Sequence, residues 1–309
     1  MNLNYAHIKK IFQNIFIDIS NYLQQNTSDI IIDKKNISGD YVKLVDLECE
    51  KIFLKHLSKN TLNIIGFVSE ETEKLTFLKN IDIDESNPKY IVAFDPLDGS
   101  SNFAFNINTG SIYAIYEYCQ LTHKLIKIVH SGYCLYGINT IMVYTELDNI
   151  IMSIKDRFNS FTRIRKLHFD DLEKSTKVYA INQANDYNTE MTMLLRYYKN
   201  NNYSMRWVGT LVADAHRILL SDGIFYYPTT DKTPNGKIRM LYESIPMAYI
   251  FKLAGGIGLN GAFRDVVSRI QDFNLENPHQ KSGIILASKK EHHNLLEQLD
   301  YYESENCKP

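Results

Sequence analysis

An apolar run, residues 90–94, passes directly into a turn that carries two carboxylates and a glycine, and this junction constrains the fold most strongly. The run predicts a buried β-strand. Pro96 is expected to end the strand because proline has no N–H to donate to a sheet. Asp95 and Asp98 then bracket the turn, and Gly99 lets the backbone bend. The sequence therefore predicts two acidic side chains at the edge of a sheet.

The turn contains groups that can bind a cation and groups that can bind an anion. Its two carboxylates can bind a hard cation, whereas the backbone amides near Gly99 and Ser100 can bind a phosphate. The alternative is an ordinary strand-ending turn with a serine cap, because short motifs recur by chance. Partner residues elsewhere in the chain are needed to decide between the two.

A second acidic pair follows the preceding predicted strand, residues 64–68, at Glu70 and Glu71. Adjacent acids repel each other unless water or a cation compensates them, and taken alone they are expected to face solvent. If this strand and the strand before Asp98 are neighbours, four carboxylates meet at one edge. Such a set is what a divalent-metal site needs.

The totals exclude several classes of protein. A net charge of −2 over 309 residues gives no electrostatic reason to expect binding to nucleic acid or to an anionic membrane. No apolar stretch approaches the roughly 20 residues that span a bilayer. The N-terminus lacks the pattern of a signal peptide, and the four cysteines lack metal-ligand spacing. We therefore expect a cytoplasmic protein with reduced thiols.

Helical and extended patterns alternate along the chain, which predicts an α/β fold or a layered α+β fold. Apolar residues at helical spacing predict an N-terminal helix from Ile8 to Leu23. The charged section 155–177 is expected to be irregular, with a boundary near residue 170 between subdomains 1–170 and 171–309. Further helices are predicted at 42–57, 190–200, 211–220, 245–254 and 291–301, and further strands at 111–118, 126–133, 136–144, 150–154, 178–182, 224–228 and 284–288.

The acids at predicted element ends offer oxygen ligands only, and no His or Cys cluster competes with them. They are Glu70, Glu71, Asp95, Asp98 and Glu243, with Asp40 and Asp46 predicted in the preceding loop. Such a donor set suits Mg²⁺ or Mn²⁺ rather than zinc. Candidate phosphate ligands are the turn at Gly99 and Ser100 together with Asn182, Arg206, Tyr227, Lys237 and Arg239.

Metal ions, cationic side chains and a hydroxyl-rich pocket together fit hydrolysis of a phosphate ester. Each phosphate candidate also has an ordinary structural explanation. Arg206 and Lys237 can be solvated surface charges, Asn182 can cap a helix, and Tyr227 can be a core residue.

Five stretches together closely resemble class I fructose-1,6-bisphosphatase, and the similarity extends from about residue 8 to the end. They are residues 36–46, 68–71, 89–102, 206–217 and 223–256. The most specific phrases are 94–102 and 234–239, followed by 241–243. The Asp-Pro-Leu-Asp-Gly core alone marks only the wider superfamily, which includes inositol phosphatases. The resemblance implies a layered α/β/α/β/α sugar-phosphatase fold, assembled as a homotetramer, whose N-terminal subdomain carries most metal ligands.

The resemblance also implies roles for individual residues. Two or more Mg²⁺ ions, or Mn²⁺, would be held by Glu70, Glu71, Asp95, Asp98, Glu243 and the Leu97 carbonyl. Asp46 and Glu71 would position and deprotonate the attacking water, and Asp40 would lie on a loop that closes over the metals. The 1-phosphate of fructose 1,6-bisphosphate would be removed beside Gly99, Ser100 and Arg239. Asn182, Tyr227 and an Arg206 from a neighbouring subunit would hold the 6-phosphate, and Lys237 would contact sugar and phosphate.

Departures from the family pattern affect the 6-phosphate pocket. Trp207 and Asn185 stand where the family usually has tyrosines, so sedoheptulose 1,7-bisphosphate is the alternative substrate and another superfamily phosphatase the broader alternative. Glu117 stands where the family's AMP-inhibited members have an arginine, which predicts weak or absent AMP inhibition. A non-enzymatic sugar-phosphate-binding protein is the third alternative, but such a descendant is expected to have lost metal-binding acids, and all of them are present.

Overall fold

Helices and strands alternate along the chain. The computed structural model describes residues 4–26, 31–35, 41–59, 62–78, 86–171, 176–182 and 189–306. The α-helices in these ranges are α1 (Tyr5–Gln25), α2 (Leu44–Leu57), α3 (Thr189–Asn200), α4 (Leu211–Ser221), α5 (Ile245–Leu253) and α6 (Lys289–Asn306). The strands are β1 (Ile31–Lys35), β2 (Tyr41–Lys43), β3 (Ile64–Ser69), β4 (Thr76–Phe77), β5 (Lys89–Asp98), β6 (Thr109–Cys119), β7 (Lys124–Tyr136), β8 (Thr140–Glu146), β9 (Asn149–Lys155), β10 (Phe161–Leu167), β11 (Val178–Ile181), β12 (Ser204–Met205), β13 (Ile224–Tyr227), β14 (Ile238–Arg239), β15 (Gly256–Asn260), β16 (Lys281–Ser282) and β17 (Ile284–Ser288).

The larger sheet has eight strands in the order β10-β9-β8-β7-β6-β5-β3-β4. Helices α1 and α2 pack on one of its faces. The stripe of α1 that contacts the sheet includes Ile8, Phe12, Ile15 and Ile19, which share one face of the helix at its 3.6-residue period. Asn4 caps this helix by accepting the N–H of His7 at 3.1 Å.

The smaller sheet has five strands in the order β12-β11-β13-β17-β15. Helices α4 and α5 lie between the two sheets and contact both, whereas α3 and α6 cover the outer face of the smaller sheet. The layers are therefore α/β/α/β/α, and the predicted fold class is confirmed. Within the described residues, no helix is both long enough and apolar enough to cross a bilayer.

Two predictions about local structure were wrong. The strand does not end at Pro96, because β5 continues to Asp98 through a shift in register against β6. Such an irregularity tolerates proline, whose carbonyl here accepts the Ser111 hydroxyl at 2.7 Å. The section predicted to be irregular contains β10, an edge strand whose charged side chains are exposed, as is typical of edges.

The two predicted acidic pairs can lie at one edge of the sheet only if their strands are neighbours. This is the case, since β3 and β5 are neighbouring parallel strands. The N–H of Glu70 donates to the carbonyl of Phe94 at 3.3 Å, just beyond the last paired residue of β3. The carboxyl ends of the two strands therefore lie side by side. The subdomain boundary near residue 170 stays a prediction.

Candidate active site

Three carboxylates converge where β5 meets a π-helical turn, Met240–Ser244, that leads into α5. One carboxylate oxygen from each of Asp95, Asp98 and Glu243 lies within 4.8 Å of the others, and all three side chains are buried. A π-helical turn is uncommon and often marks a functional site, since it redirects a side chain out of the regular helix. Here that turn carries Glu243.

Backbone amides fix the orientation of each of the three acids. Asp95 Oδ1 accepts the N–H of Leu97 at 3.0 Å, and Asp98 Oδ2 accepts the N–H of Val212 at 2.7 Å. Val212 belongs to the first turn of α4, where backbone N–H groups are unpaired and favour an anion. Glu243 accepts the backbone N–H of Arg239.

The three acids are crowded enough to disfavour their charged forms. Burial raises the pKa of Asp95 well above its ordinary value, and the charges of Glu70, Asp98 and Glu243 raise that pKa further. Burial likewise raises the pKa of Asp98 to about 7 and that of Glu243 to about 8. A buried, oxygen-only donor set that holds several negative charges fits a hard divalent cation.

The second acidic pair lies beside this cluster. Glu70 Oε1 is 2.7 Å from Arg239 Nη2, and burial together with the charge of Glu70 raises the pKa of Glu71 to about 8. Burial alone would lower the pKa of Arg239, but Glu243 and Glu70 outweigh burial and raise it. The guanidinium therefore stays charged between acidic side chains.

Asp46 lies in the first turn of α2 and is buried. Burial, and then the charge of Glu70, raise its pKa to about 7, while a hydrogen bond with the Ser100 side chain opposes the shift. Lys43 Nζ donates to the Ser100 carbonyl at 3.0 Å. The start of α2 is thus attached to the turn that follows β5.

That turn requires its glycine. Gly99 has φ +72°, and a β-carbon at this position would lie 2.5 Å from Thr210 Oγ1. Ser100 begins a short 3₁₀ helix, Ser100–Phe105. Asn102 Nδ2 donates to Thr210 Oγ1 at 2.7 Å, which holds the turn against the start of α4.

A cleft of 410 Å³ opens beside the acids. Its lining includes Asp98, Gly99 and Glu243 together with Lys237 and Arg239. The cleft is thus lined by acidic side chains and by cationic ones.

Aromatic rings line another part of the cleft, formed by Trp207, Phe225 and Tyr227, which we call its far part. Trp207 stacks on Phe225 with ring centroids 6.0 Å apart and planes 7° from parallel. The Tyr227 hydroxyl is hydrogen-bonded to the Asn182 side chain, which brings these two predicted residues together. Burial raises the pKa of Tyr227, so its hydroxyl stays protonated at neutral pH.

The other predicted site residues differ in where they lie. Arg206 is exposed, donates from Nη1 to its neighbour's carbonyl at Met205 (3.1 Å), and does not line the cleft. Leu97 is buried between Asp95 and Asp98 on β5. Asp40 and Asn185 lie outside the described residues.

Thr233 and Lys281 also line the cleft but were not predicted as site residues from the sequence. Lys281 is paired across β14 and β16 with Arg239. These strands have two residues each and lie far apart in the chain, so no local periodicity reveals their pairing. The turn signal at residues 234–236 was the only hint that a strand begins there.

Comparisons with known proteins agree with this architecture. Residues 19–156 match the family model for the fructose-1-6-bisphosphatase N-terminal domain, and residues 172–300 match the model for its C-terminal domain. The chain is 32% identical to a class 1 fructose-1,6-bisphosphatase of Persephonella marina over 85% of this chain and 81% of that protein. It is 32% identical to fructose-1,6-bisphosphatase 1 of Bos taurus over 88% and 81% of the two chains.

A solved structure shows the same fold. The holo form of Leishmania major fructose-1,6-bisphosphatase superposes with a TM-score of 0.83 at 25% identity, and the match covers 96% of this chain and 94% of that one. The fold and the acidic centre are those of a metal-dependent sugar phosphatase. The chain belongs to the class I fructose-1,6-bisphosphatase family.

Proposed function

We propose that this protein hydrolyses the 1-phosphate of fructose 1,6-bisphosphate to give fructose 6-phosphate and inorganic phosphate, a step of gluconeogenesis. The observation that carries the proposal is the convergence of Asp95, Asp98 and Glu243 beside a cleft that is also lined by Lys237 and Arg239. A phosphate monoester needs cationic groups for its oxygens and a metal site for the reacting atoms. Acidic and cationic residues that line one cleft support both requirements.

We assign the metal ligands to Glu70, Glu71, Asp95, Asp98, Glu243 and the Leu97 carbonyl, with two or more Mg²⁺ ions per site and Mn²⁺ as a substitute. When bound, the metal supplies a Lewis acid for the phosphoryl oxygens and lowers the pKa of coordinated water. Glu71 and Asp46 are the bases in this assignment, because burial raises the pKa of each into the range of a general base that works near neutral pH. Asp40 remains assigned to the loop that closes over the site.

The remaining roles concern the substrate. Gly99, Ser100 and Arg239 are assigned to the phosphate that is removed. Their neighbourhood supports this, since the turn at Gly99 adjoins Asp98 and Arg239 adjoins Glu70. Lys237 is assigned to the sugar and its phosphate.

The 6-phosphate is assigned to Asn182, Tyr227 and Arg206. Tyr227 and Asn182 are hydrogen-bonded to each other. Arg206 is exposed and outside this chain's cleft, which favours its contributing to the cleft of a neighbouring subunit in a homotetramer.

Sedoheptulose 1,7-bisphosphate remains the second candidate substrate, because Trp207 lines the far part of the cleft without a phenol hydroxyl. A phosphate-release assay decides between the candidates. Fructose 1,6-bisphosphate, sedoheptulose 1,7-bisphosphate and an inositol monophosphate are compared with and without Mg²⁺. We expect Mg²⁺-dependent release to be fastest from fructose 1,6-bisphosphate, and release from the inositol phosphate alone would refute the proposal.

Weak or absent AMP inhibition and a cytoplasmic location also stay predictions. Glu117 pairs with Lys127 at 3.2 Å, so its charge is partly compensated, but the position still lacks the cation that an AMP phosphate requires.

A further inference from the structure

Lys281 shares a face of the sheet with Arg239. Strands β14 and β16 are antiparallel, with Arg239 opposite Lys281 and Ile238 opposite Ser282. Directly opposite residues in an antiparallel pair project their side chains from the same face. The Arg239 guanidinium points to Glu70, and Lys281 lines the cleft. Both cations therefore project from one face of the paired strands and line the same cleft.

The two cations differ in their partners. Arg239 contacts Glu70 at 2.7 Å and Glu243 at 3.9 Å. Among the residues that the structure describes, the Lys281 ammonium has neither a carboxylate within 4.0 Å nor a hydrogen-bond acceptor. A half-buried ammonium without a counter-charge in a confined cleft favours binding of an anion there.

The position of Lys281 in the cleft indicates which anion it binds. A β-carbon on Gly236 would lie 2.1 Å from the Ser282 carbonyl carbon, so the turn before Lys237 packs directly against the end of β16. Lys237, Arg239 and Lys281 thus share one wall. Lys281 lies directly opposite Arg239, whose guanidinium contacts Glu70.

We propose that Lys281 binds the phosphate group that is hydrolysed and then released as inorganic phosphate. This inference rests on the proposed function and extends it by one substrate-contacting residue. The Lys281 ammonium donates to phosphate oxygens beside Arg239. It is a compact cation that complements the planar guanidinium of Arg239.

The test compares Lys281→Met, which removes the charge at similar length, with Lys281→Arg, which keeps the charge. Lys232→Met is the matched control, because Lys232 is an exposed lysine on the segment between β13 and β14 and does not line the cleft. For each variant we would measure kcat, KM and the inhibition constants of inorganic phosphate and fructose 6-phosphate. Thermal unfolding of each variant checks that it is folded.

For Lys281→Met we expect KM and the inhibition constant of inorganic phosphate to rise about tenfold, as for loss of one charge-assisted hydrogen bond, with a smaller change in kcat. Inhibition by fructose 6-phosphate should change by less than about twofold, as should every constant of Lys232→Met. Lys281→Arg should recover most of the loss.

Titration of inorganic phosphate into the Mg²⁺-loaded proteins by calorimetry follows the same contact without turnover. Equal phosphate affinity in wild type and Lys281→Met would overturn the proposal. So would a loss confined to fructose 6-phosphate, because Lys281 would then belong to the far part of the cleft. If the wild type released no phosphate from any sugar bisphosphate, the proposed function would fail, whereas calorimetry would still decide the role of Lys281.

Discussion

The two ends of the cleft are built differently. At the acidic end, Asp95, Asp98 and Glu243 are buried and each accepts a backbone N–H from the same chain. At the far end, the aromatic rings of Trp207 and Tyr227 line the cleft. The predicted cation of that end, Arg206, is exposed and bonded to its own neighbour's carbonyl.

This difference separates the residues proposed for hydrolysis from the residues proposed for recognition of the substrate. Groups that are fixed by backbone hydrogen bonds are placed as soon as the chain folds, and they need no partner. A site end whose cation lies outside the cleft depends on something else to supply charge. The structure therefore leads us to expect that the hydrolytic apparatus belongs to one chain, whereas recognition of the second phosphate depends on assembly.

The strongest test of the acidic end is Asp95→Asn. Removing one proposed ligand from a buried oxygen-only set should lower kcat by about 10³-fold or more, since metal coordination lowers the barrier by several kcal/mol. Phosphate release at saturating Mg²⁺ measures the effect. Asp170→Asn is the control, because Asp170 is an exposed acid remote in sequence from the cluster.

A stability measurement separates metal binding from folding. In EDTA, Asp95→Asn should unfold at the same temperature as the wild type or higher, because the substitution relieves repulsion with Asp98 and Glu243. Mg²⁺ should raise the unfolding temperature of the wild type but not that of the variant. Equal stabilisation of both by Mg²⁺ would remove Asp95 from the metal ligands.

The strongest test of the far end is Arg206→Ala. Loss of an arginine that binds a phosphate should lower kcat/KM by about a hundredfold, mostly through KM. If Arg206 acts in a neighbouring subunit, mixed assemblies of Arg206→Ala and Asp95→Asn chains contain sites with both functional parts. Co-expression of the two impaired chains should then restore a fraction of the wild-type kcat/KM.

Failure to complement would contradict the shared site only if mixed assemblies form. Two different affinity tags on the chains, purified in sequence, isolate them for assay. Full activity of Arg206→Ala alone would show that the far end needs no cation from this residue. The contrast between the two ends of the cleft would then be wrong.

The sequence predicted the acidic end of the cleft better than it predicted the rest of the cleft. The acids lie on or immediately beside regular elements, so the strand patterns before Glu70 and Asp95 indicated their meeting once β3 and β5 were assumed adjacent. The fold class followed from alternating periodicities. The end of β5 was misplaced, because a register shift next to Pro96 depends on its partner strand rather than on local propensity.

Other features of the cleft could not be derived from local patterns. Lys281 reaches it only because two two-residue strands pair. The edge strand β10 was missed because Arg163 and Arg165 lie in an exposed, charged stretch that carries no apolar alternation. These features depend on contacts between distant segments, and a single sequence does not display them.

Buried histidines outside the cleft predict how stability changes with pH. Burial lowers the pKa of His130 to about 3 and that of His216 to about 4. Below pH 6.5 the unfolded chain binds protons that the folded chain does not, so stability falls as pH falls. Each histidine contributes up to about 1.4 kcal/mol per pH unit in that window. His130→Asn, which keeps a polar partner for Tyr113, should flatten this limb in denaturant unfolding.

The unfolding measurement is made in saturating Mg²⁺, so that titration of the acidic side chains does not obscure the effect of the histidines. The raised pKa of Glu243 acts in the opposite sense, since its contribution is present at low pH and is lost as pH rises through about 8. His293→Asn is the control because His293 is exposed on α6. An unchanged acid slope in His130→Asn would show that this histidine does not carry the effect.

The last prediction has the smallest expected effect and concerns only the far end of the cleft. Trp207→Tyr puts a phenol hydroxyl into a cleft wall that now presents an indole stacked on Phe225. One added hydrogen bond to the distal phosphate should raise kcat/KM for fructose 1,6-bisphosphate by about threefold relative to sedoheptulose 1,7-bisphosphate. Trp207→Phe is the matched control, because it changes the ring without adding the hydroxyl. An equal gain in both variants would mean that ring size, rather than a missing donor, sets the preference at this end.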